Sequence, residues 1–340
     1  MKKKLSNVIK YSIFLGIGIF LVWWSMHQIP DSEWDKFKQS LVHARYWMIL
    51  PVFLILTSAH LVRALRWKIL MEPMGYQPSV ANTFFAVMIG YLANMAVPRL
   101  GEVLKCTLIA RYEKVPAEKI VGTIVAERAF DVVCLGLLFI LALILQFDVI
   151  TDSFQQVKTS PLLQKHAGNN HIRFIILAVA GIIVAAVVIW MLITKRWKSF
   201  LLTIKKIGLG IWEGLISARK LKHKWTFAFY SLAIWALYTA GTWLGLYATQ
   251  GTGLGIKEAV SCLALASIGM ILTPGGIGAY ALLIAIVLEE NGVDYTLGLA
   301  NGTLQWFCQF IIVLTVGLLS AGLLPWYNKK KELALSNTTR

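Results

Sequence analysis

Pro98-Arg99-Leu100-Gly101-Glu102 interrupts a long apolar segment, from Ser79 to Tyr112, with two charged side chains. A charged side chain at the centre of a membrane costs about 2.5–3.5 kcal/mol, so it normally faces a protein interior or a water-filled cavity. Non-helical backbone is tolerated at this depth only where it is buried in protein or lines such a cavity. The interruption therefore predicts a re-entrant helical hairpin beside a functional cavity.

A second apolar segment, from Glu258 to Leu288, is interrupted in the same way by Thr273-Pro274-Gly275-Gly276-Ile277-Gly278. Each interrupted segment lies between two long apolar spans, first in residues 46–145 and again in residues 225–328. Paired Pro/Gly interruptions in two halves of a chain indicate a transporter with its site near the bilayer midplane. The predicted fold class is an all-α polytopic membrane protein with an inverted repeat of span, re-entrant hairpin and span.

Composition supports the same class of protein. Of 340 residues, 57% are hydrophobic and 15% are charged, which excludes an ordinary soluble domain. The net charge of +16 is explained by basic loops that orient the spans, so no nucleic-acid binding is predicted. The four cysteines (Cys106, Cys134, Cys262 and Cys308) lie singly in apolar segments, which indicates reduced core residues. Neither a metal site nor a cofactor is predicted.

The order of apolar and basic segments predicts five regions. Residues 1–45 hold a first span and an external loop, 46–145 repeat 1, 146–224 an external loop, a connecting span and a basic linker, 225–328 repeat 2, and 329–340 a basic tail. The positive-inside rule places both termini in the cytoplasm and residues 289–294 outside an inner membrane. Within the linker, apolar residues at helical spacing predict an amphipathic helix on the inner leaflet, either as a topology-setting connection or as a lipid sensor.

The candidate binding residues are the charges predicted at membrane depth and the residues at the hairpin tips. Arg99 and Arg128 are the only arginines predicted at that depth, and the planar guanidinium binds phosphate through two parallel hydrogen bonds. The charges can also form ion pairs that only lock the fold, and both interpretations remain open. The predicted substrate-binding set is Arg99, Gly101, Glu102, Lys105, Glu127, Arg128, Asp131, Pro274, Gly275, Gly276, Gly278 and Gln305.

The hairpin motifs, together with Val121-Gly122-Thr123 and Glu127-Arg128, resemble the signature of the flippase-like family, which includes the transmembrane region of lysylphosphatidylglycerol synthases. The similarity covers roughly residues 46–324. It implies an inner-membrane protein that moves a lipid between leaflets, with anionic or phosphate-bearing membrane lipids as partners. It also implies an arginine in the last span, where this sequence has Gln305-Trp306. Because the sequence stops soon after that span, no aminoacyl-transfer domain and no enzyme activity are expected.

Three other functions fit parts of the pattern. An ion-coupled transporter of a small solute uses the same repeat, with a carboxylate that carries the proton. A membrane-embedded lipid-modifying enzyme would use Glu102, Glu127 and Asp131 as acid and base, but no nucleophile motif or P-loop accompanies them. A scaffold without transport activity leaves the membrane-embedded charges unexplained. Lipid translocation is therefore the predicted function.

Overall fold

The computed structural model describes residues 2–97, 99–147 and 221–338. Pro98, the predicted connecting span and the basic linker up to residue 220 lie outside the described residues. Within the described ranges the secondary structure is helical, with short 3-10 turns between some of the helices. The α-helices there are α1 (Lys2–His27), α2 (Trp34–Val42), α3 (Ile49–Met71), α4 (Val80–Ala96), α5 (Leu100–Glu113), α6 (Ala117–Leu145), α7 (Lys224–Leu246), α8 (Ile256–Leu272), α9 (Ala279–Glu290) and α10 (Tyr295–Thr338).

Four helical segments in the described part of the chain are long and apolar enough to cross a membrane. They are Tyr46–Met74, which contains α3, then α6 and α7, and Tyr295–Lys331 of α10. In a bilayer the backbone polar groups must be satisfied within the spanning segment, and an α-helix achieves this along its whole length. The all-α polytopic fold class is confirmed.

Two helical hairpins lie between these spans. α4 packs against α5, and α8 packs against α9. These helices have 17, 14, 17 and 12 residues. At 1.5 Å per residue they measure roughly 18–26 Å, which is short of the ~30 Å hydrocarbon core. Lengths of this kind suit arms that enter and leave by the same side, although the re-entrant course and the inverted repeat remain predictions.

Each hairpin packs against the last span of the other half. α4 contacts α10, where Met88 shares a buried cluster with Cys308 and Ile312. α8 contacts α6, where Val260 and Leu263 pack with Leu138. The first spans of the two halves, α3 and α7, also pack directly against each other. The halves are therefore interlocked and enclose a common interior.

Residues 31–42, predicted as an external loop, instead form a 3-10 turn (Asp31–Glu33) followed by α2. Phe37 of α2 is buried in a cluster with Leu299 and Ala300 of α10. Lys36 Nζ lies 3.0 Å from Asp294 Oδ2, just before α10 begins. Burial of the apolar face of this short helix against α10 explains why it forms.

Asp294 makes a pH-dependent contribution to this contact. Burial raises the pKa of Asp294, but hydrogen bonds from Lys36 and from the backbone amides of Leu297 and Thr296 outweigh it and hold the pKa below its usual 3.8. The carboxylate therefore stabilises the fold at pH above 3.8, and this contribution is lost as the pH falls through the folded-state pKa. Asp294→Asn, which keeps a capping oxygen, is expected to cost ~0.5 kcal/mol at pH 7 and less than that at pH 2. Thermal unfolding in detergent at both pH values tests this, and an equal difference at the two would contradict it.

Candidate functional site

A buried ion cluster joins α3, α5 and α6 in the interior. Glu127 of α6, only 1% exposed, lies 3.1 Å from both Arg63 Nη1 and Lys105 Nζ. Asp131, one turn further along α6, lies 2.5 Å from Arg63 Nη1 and 2.7 Å from Arg66 Nη2. Three basic and two acidic side chains thus share one site. Removal of one partner of such a buried ion pair strongly destabilises the fold, because the other charge stays buried without a partner.

Arg63 and Arg66 are the members of the cluster that sequence reasoning missed. The positive-inside pattern assigned them to the cytoplasmic end of the second span, but both lie within α3 and are almost fully buried. Both lie within the apolar segment Tyr46–Met74, so the prediction that Arg99 and Arg128 are the only arginines at membrane depth left out two further candidates. The sequence did contain a signal for this pairing. Arg63 and Arg66 lie three positions apart and the carboxylates of Glu127 and Asp131 lie four positions apart, so each pair shares one face of its helix.

Arg128 and Glu102 form a separate pair at the edge of this cluster. Arg128 Nη2 lies 3.0 Å from Glu102 Oε1, and the Arg128 side chain is 48% exposed. Arg99, also exposed, precedes α5 with a φ of 69° and so does not continue the helix. On α5, Lys105 pairs with Glu127 in the buried cluster, whereas Glu102 pairs with Arg128.

A cavity of about 770 Å³ lies between the two halves. Its wall includes both hairpin tips, represented by Asn94 and Gly275, and apolar side chains from the spans and from α8. Of the predicted binding residues, the cavity is lined by Arg99, Glu102, Arg128, Asp131, Pro274, Gly275 and Gln305, together with the unpredicted Arg63. Gly101, Lys105, Glu127, Gly276 and Gly278 do not line it. The size is typical of small-ligand sites.

One border of the cavity is apolar and open. Val132, Ile271 and Leu272 line the cavity and are 53%, 72% and 52% exposed. These three side chains lie on α6 and at the C-terminal end of α8. Exposed apolar residues and charged residues therefore line the same cavity.

Residues 8–317 match the family of the lysylphosphatidylglycerol synthase transmembrane region. The chain belongs to this family. It is also similar to a UPF0104 membrane protein of Methanocaldococcus jannaschii, with 24% identity over 100 residues, which are 28% of this chain. The match spans 30% of that relative's length. No solved structure was found to match.

Three of the predicted glycines have packing roles. A Cβ at Gly101 would lie 2.0 Å from the carbonyl oxygen of Gly90, so only glycine allows α4 and α5 to approach this closely. A Cβ at Gly278, whose φ is 74°, would lie 2.6 Å from the carbonyl oxygen of Gly18 in α1. Gly276 also has positive φ and packs beside Met270. These glycines shape the hairpins and do not reach the cavity.

The tip of each hairpin is tied to the last span of its own half. In the first half, Arg128 of α6 pairs with Glu102. In the second half, Trp306 Nε1 of α10 donates to the Gly275 carbonyl oxygen at 2.8 Å. The neighbouring Gln305 donates to Asn301 Oδ1 at 2.8 Å and so belongs to a buried amide network that also borders the cavity.

The chemistry available in the site is electrostatic recognition. In the part of the chain that the structure describes, no three His, Cys, Asp or Glu side chains are grouped to hold a metal ion. The guanidinium groups of Arg63, Arg99 and Arg128 face the cavity with the carboxylates of Glu102 and Asp131. Arginine pairs with phosphate in a bidentate geometry, so this set is suited to hold an anionic group.

Proposed function

We propose that this protein moves a lipid with an anionic or phosphate-bearing headgroup between the leaflets of the inner membrane. The observation that carries the proposal is a cavity with arginines on its wall and an exposed apolar border. The headgroup would occupy the charged part while the acyl or prenyl tails leave through the border at Val132, Ile271 and Leu272. A phospholipid and a polyprenyl-linked phosphate share this chemistry.

The pairing of Arg128 with Glu102 supports reversible binding. When the cavity is empty, the Glu102 carboxylate neutralises the Arg128 guanidinium. Because the pair is partly exposed, it is held less rigidly than the buried cluster. A phosphate entering the cavity replaces the carboxylate as the partner of Arg128 at little net cost. Lipid can therefore bind and leave, which a carrier requires.

The apolar border favours lipid over a small water-soluble substrate. A solute carrier needs a path that is closed to hydrocarbon, whereas here exposed apolar residues and charged residues line one continuous cavity. The family match is consistent with a lipid because its description names lysylphosphatidylglycerol synthases. Alternating access would follow from rocking of the two interlocked halves about the central cavity.

Reconstitution tests the proposal directly. Purified protein in vesicles is expected to move a headgroup- or tail-labelled phosphatidylglycerol from the inner to the outer leaflet, measured by dithionite quenching of the label. Protein-free vesicles are the control. Equal exchange with and without the protein, under conditions where its thermal unfolding shows it folded, would contradict the proposal.

The proposed topology places both termini and the α3–α4 connection in the cytoplasm and the α9–α10 connection outside. Cysteine at position 77, an exposed site between α3 and α4, is expected to react with an impermeant maleimide only after the membrane is opened. Cysteine at position 291, after α9, is expected to react in intact spheroplasts. The reverse pattern would contradict the orientation derived from the basic loops.

A further inference from the structure

Several polar atoms on the cavity wall have no hydrogen-bond partner among the residues that the structure describes. His60 of α3 is 6% exposed, and its Nδ1 atom has no hydrogen-bond partner. Its ring lies 5.0 Å from that of Tyr91 and 6.2 Å from that of Tyr238, between centroids. All three residues line the cavity. Buried polar groups are nearly always hydrogen-bonded, so the unpaired imidazole nitrogen beside the cavity is available to a group that enters it.

The surroundings of His60 add further donors. Among residues 2–97, 99–147 and 221–338, no hydrogen bond links the hydroxyl group of Tyr91 or Tyr238 to another side chain or to the backbone. Arg63, one turn from His60 on α3, has its Cζ atom 6.0 Å from the Tyr238 ring centroid, and its Nε atom is also unpaired. Three helices, α3, α4 and α7, thus bring hydrogen-bond donors to one part of the wall.

We propose that His60, Arg63, Tyr91 and Tyr238 form the subsite that holds the phosphodiester of the transported headgroup. This rests on the proposed function and specifies its substrate contact. The two hydroxyl groups and the imidazole N–H donate to the non-bridging phosphate oxygens, and Arg63 supplies positive charge from the rim of the buried cluster. Arg128 and Arg99 lie nearer the tip of the first hairpin and bind the headgroup as it enters and leaves the cavity.

The charge around the subsite favours an anion. The buried cluster and the cavity wall together hold five basic side chains (Arg63, Arg66, Arg99, Lys105 and Arg128) and three acidic ones (Glu102, Glu127 and Asp131), which leaves +2 when all are charged. Aromatic rings can also cage a quaternary ammonium. Here Arg63 already faces the Tyr238 ring, so a second cation would meet repulsion.

Tyrosine-to-phenylalanine variants test the subsite without disturbing the packing. Tyr91→Phe and Tyr238→Phe remove only hydroxyl groups, and no internal partner is left unpaired. Each is expected to weaken binding of dihexanoyl phosphatidylglycerol by about 10-fold and the double variant by about 100-fold, as for hydrogen bonds to a charged group. Tyr230→Phe, two turns earlier on α7 and outside the cavity, is the matched control. Calorimetric titration in detergent gives the affinities, and thermal unfolding verifies the fold.

Three further ligands identify what the subsite recognises. The deacylated glycerophosphodiester and inorganic phosphate are expected to bind more weakly than the lipid. Both are also expected to lose affinity in the same tyrosine variants. The difference in affinity between the lipid and inorganic phosphate distinguishes a lipid headgroup from free phosphate as the ligand. Should free phosphate bind as tightly as the short-chain lipid, a soluble anion is the ligand and the headgroup assignment is wrong. Preferential binding of an alkyltrimethylammonium amphiphile would also overturn the proposal, since it would indicate a cation cage.

The subsite and the transport activity can fail separately. If the wild-type protein moves lipid and the double variant moves and binds it equally well, the subsite is wrong and the proposed function stands. If the wild-type protein binds the short-chain lipid, the double variant does not, and neither moves lipid between leaflets, the subsite stands and translocation is wrong. Replacement of His60 by phenylalanine, which keeps an aromatic ring beside Tyr91 and Tyr238, is expected to give a loss similar to that of either tyrosine variant.

Discussion

Glu127→Gln is expected to remove most of the folded protein from the membrane. The carboxylate is the shared partner of Arg63 and Lys105, and it also lies 3.7 Å from Arg66. Its neutralisation leaves three buried cations with Asp131 as their one anion in the cluster. Breaking a buried ion pair typically costs ~3–5 kcal/mol, a large part of the ~5–15 kcal/mol that stabilises a typical domain.

The measurement is the amount of monodisperse protein extracted in mild detergent, together with its thermal midpoint. Glu118→Gln, an exposed position in the first turn of the same helix, is the control and is expected to match the wild type. Adding Lys105→Met to Glu127→Gln removes one of the surplus cations and is expected to restore part of the yield. If Glu127→Gln accumulates and unfolds like the wild type, the cluster does not lock the helices together.

Arg128→Gln is expected to reduce lipid exchange in proteoliposomes by ~100-fold while the protein still folds. The side chain is half exposed and its partner Glu102 lies at the rim of the cavity, so the fold loses little. The phosphate loses a bidentate, charge-assisted contact. Arg128→Lys is expected to retain intermediate activity, because a point charge does not reproduce the planar fork.

Arg111→Gln provides the matched control for this experiment. Arg111 is exposed in the last turn of α5 and does not line the cavity. Wild-type exchange in both Arg128 variants would show that phosphate does not bind at Arg128. Failure of both to accumulate would show that the residue is structural, like Glu127. The two variants of neighbouring residues on α6 therefore separate locking from binding.

Much of the fold could be predicted because the membrane imposes simple rules. The spans around α3, α6, α7 and α10 follow from hydropathy, and the interruptions at Gly101 and at Gly275 gave the two hairpins. The helix α2 was missed, since its stability depends on the tertiary contact between Phe37 and α10 and not on local sequence. The packing of each hairpin against the last span of the other half also has no signal in the local sequence.

The site was only partly predictable for an electrostatic reason. Basic residues near the end of a span usually mark the cytoplasm, and this rule removed Arg63 from consideration although it pairs with Glu127 and Asp131. Charge sign and spacing identified the carboxylates, but not their partners, because pairing depends on how α3 and α5 face α6. His60 was not among the predicted site residues, and its unpaired nitrogen is visible only from the structure.

The packing of α4 against α10 also constrains how the protein is made. The first hairpin is complete at Glu113, but α10 begins 182 residues later (295 − 113), at Tyr295. At ~5–20 residues per second, ribosomal synthesis delivers this partner roughly 10–40 s after the hairpin. During that interval the surface around Met88 and Leu92 lacks the contacts that Ile312 and Gly317 later make. Nascent chains arrested before α10 should therefore be the species that membrane quality-control proteases remove first.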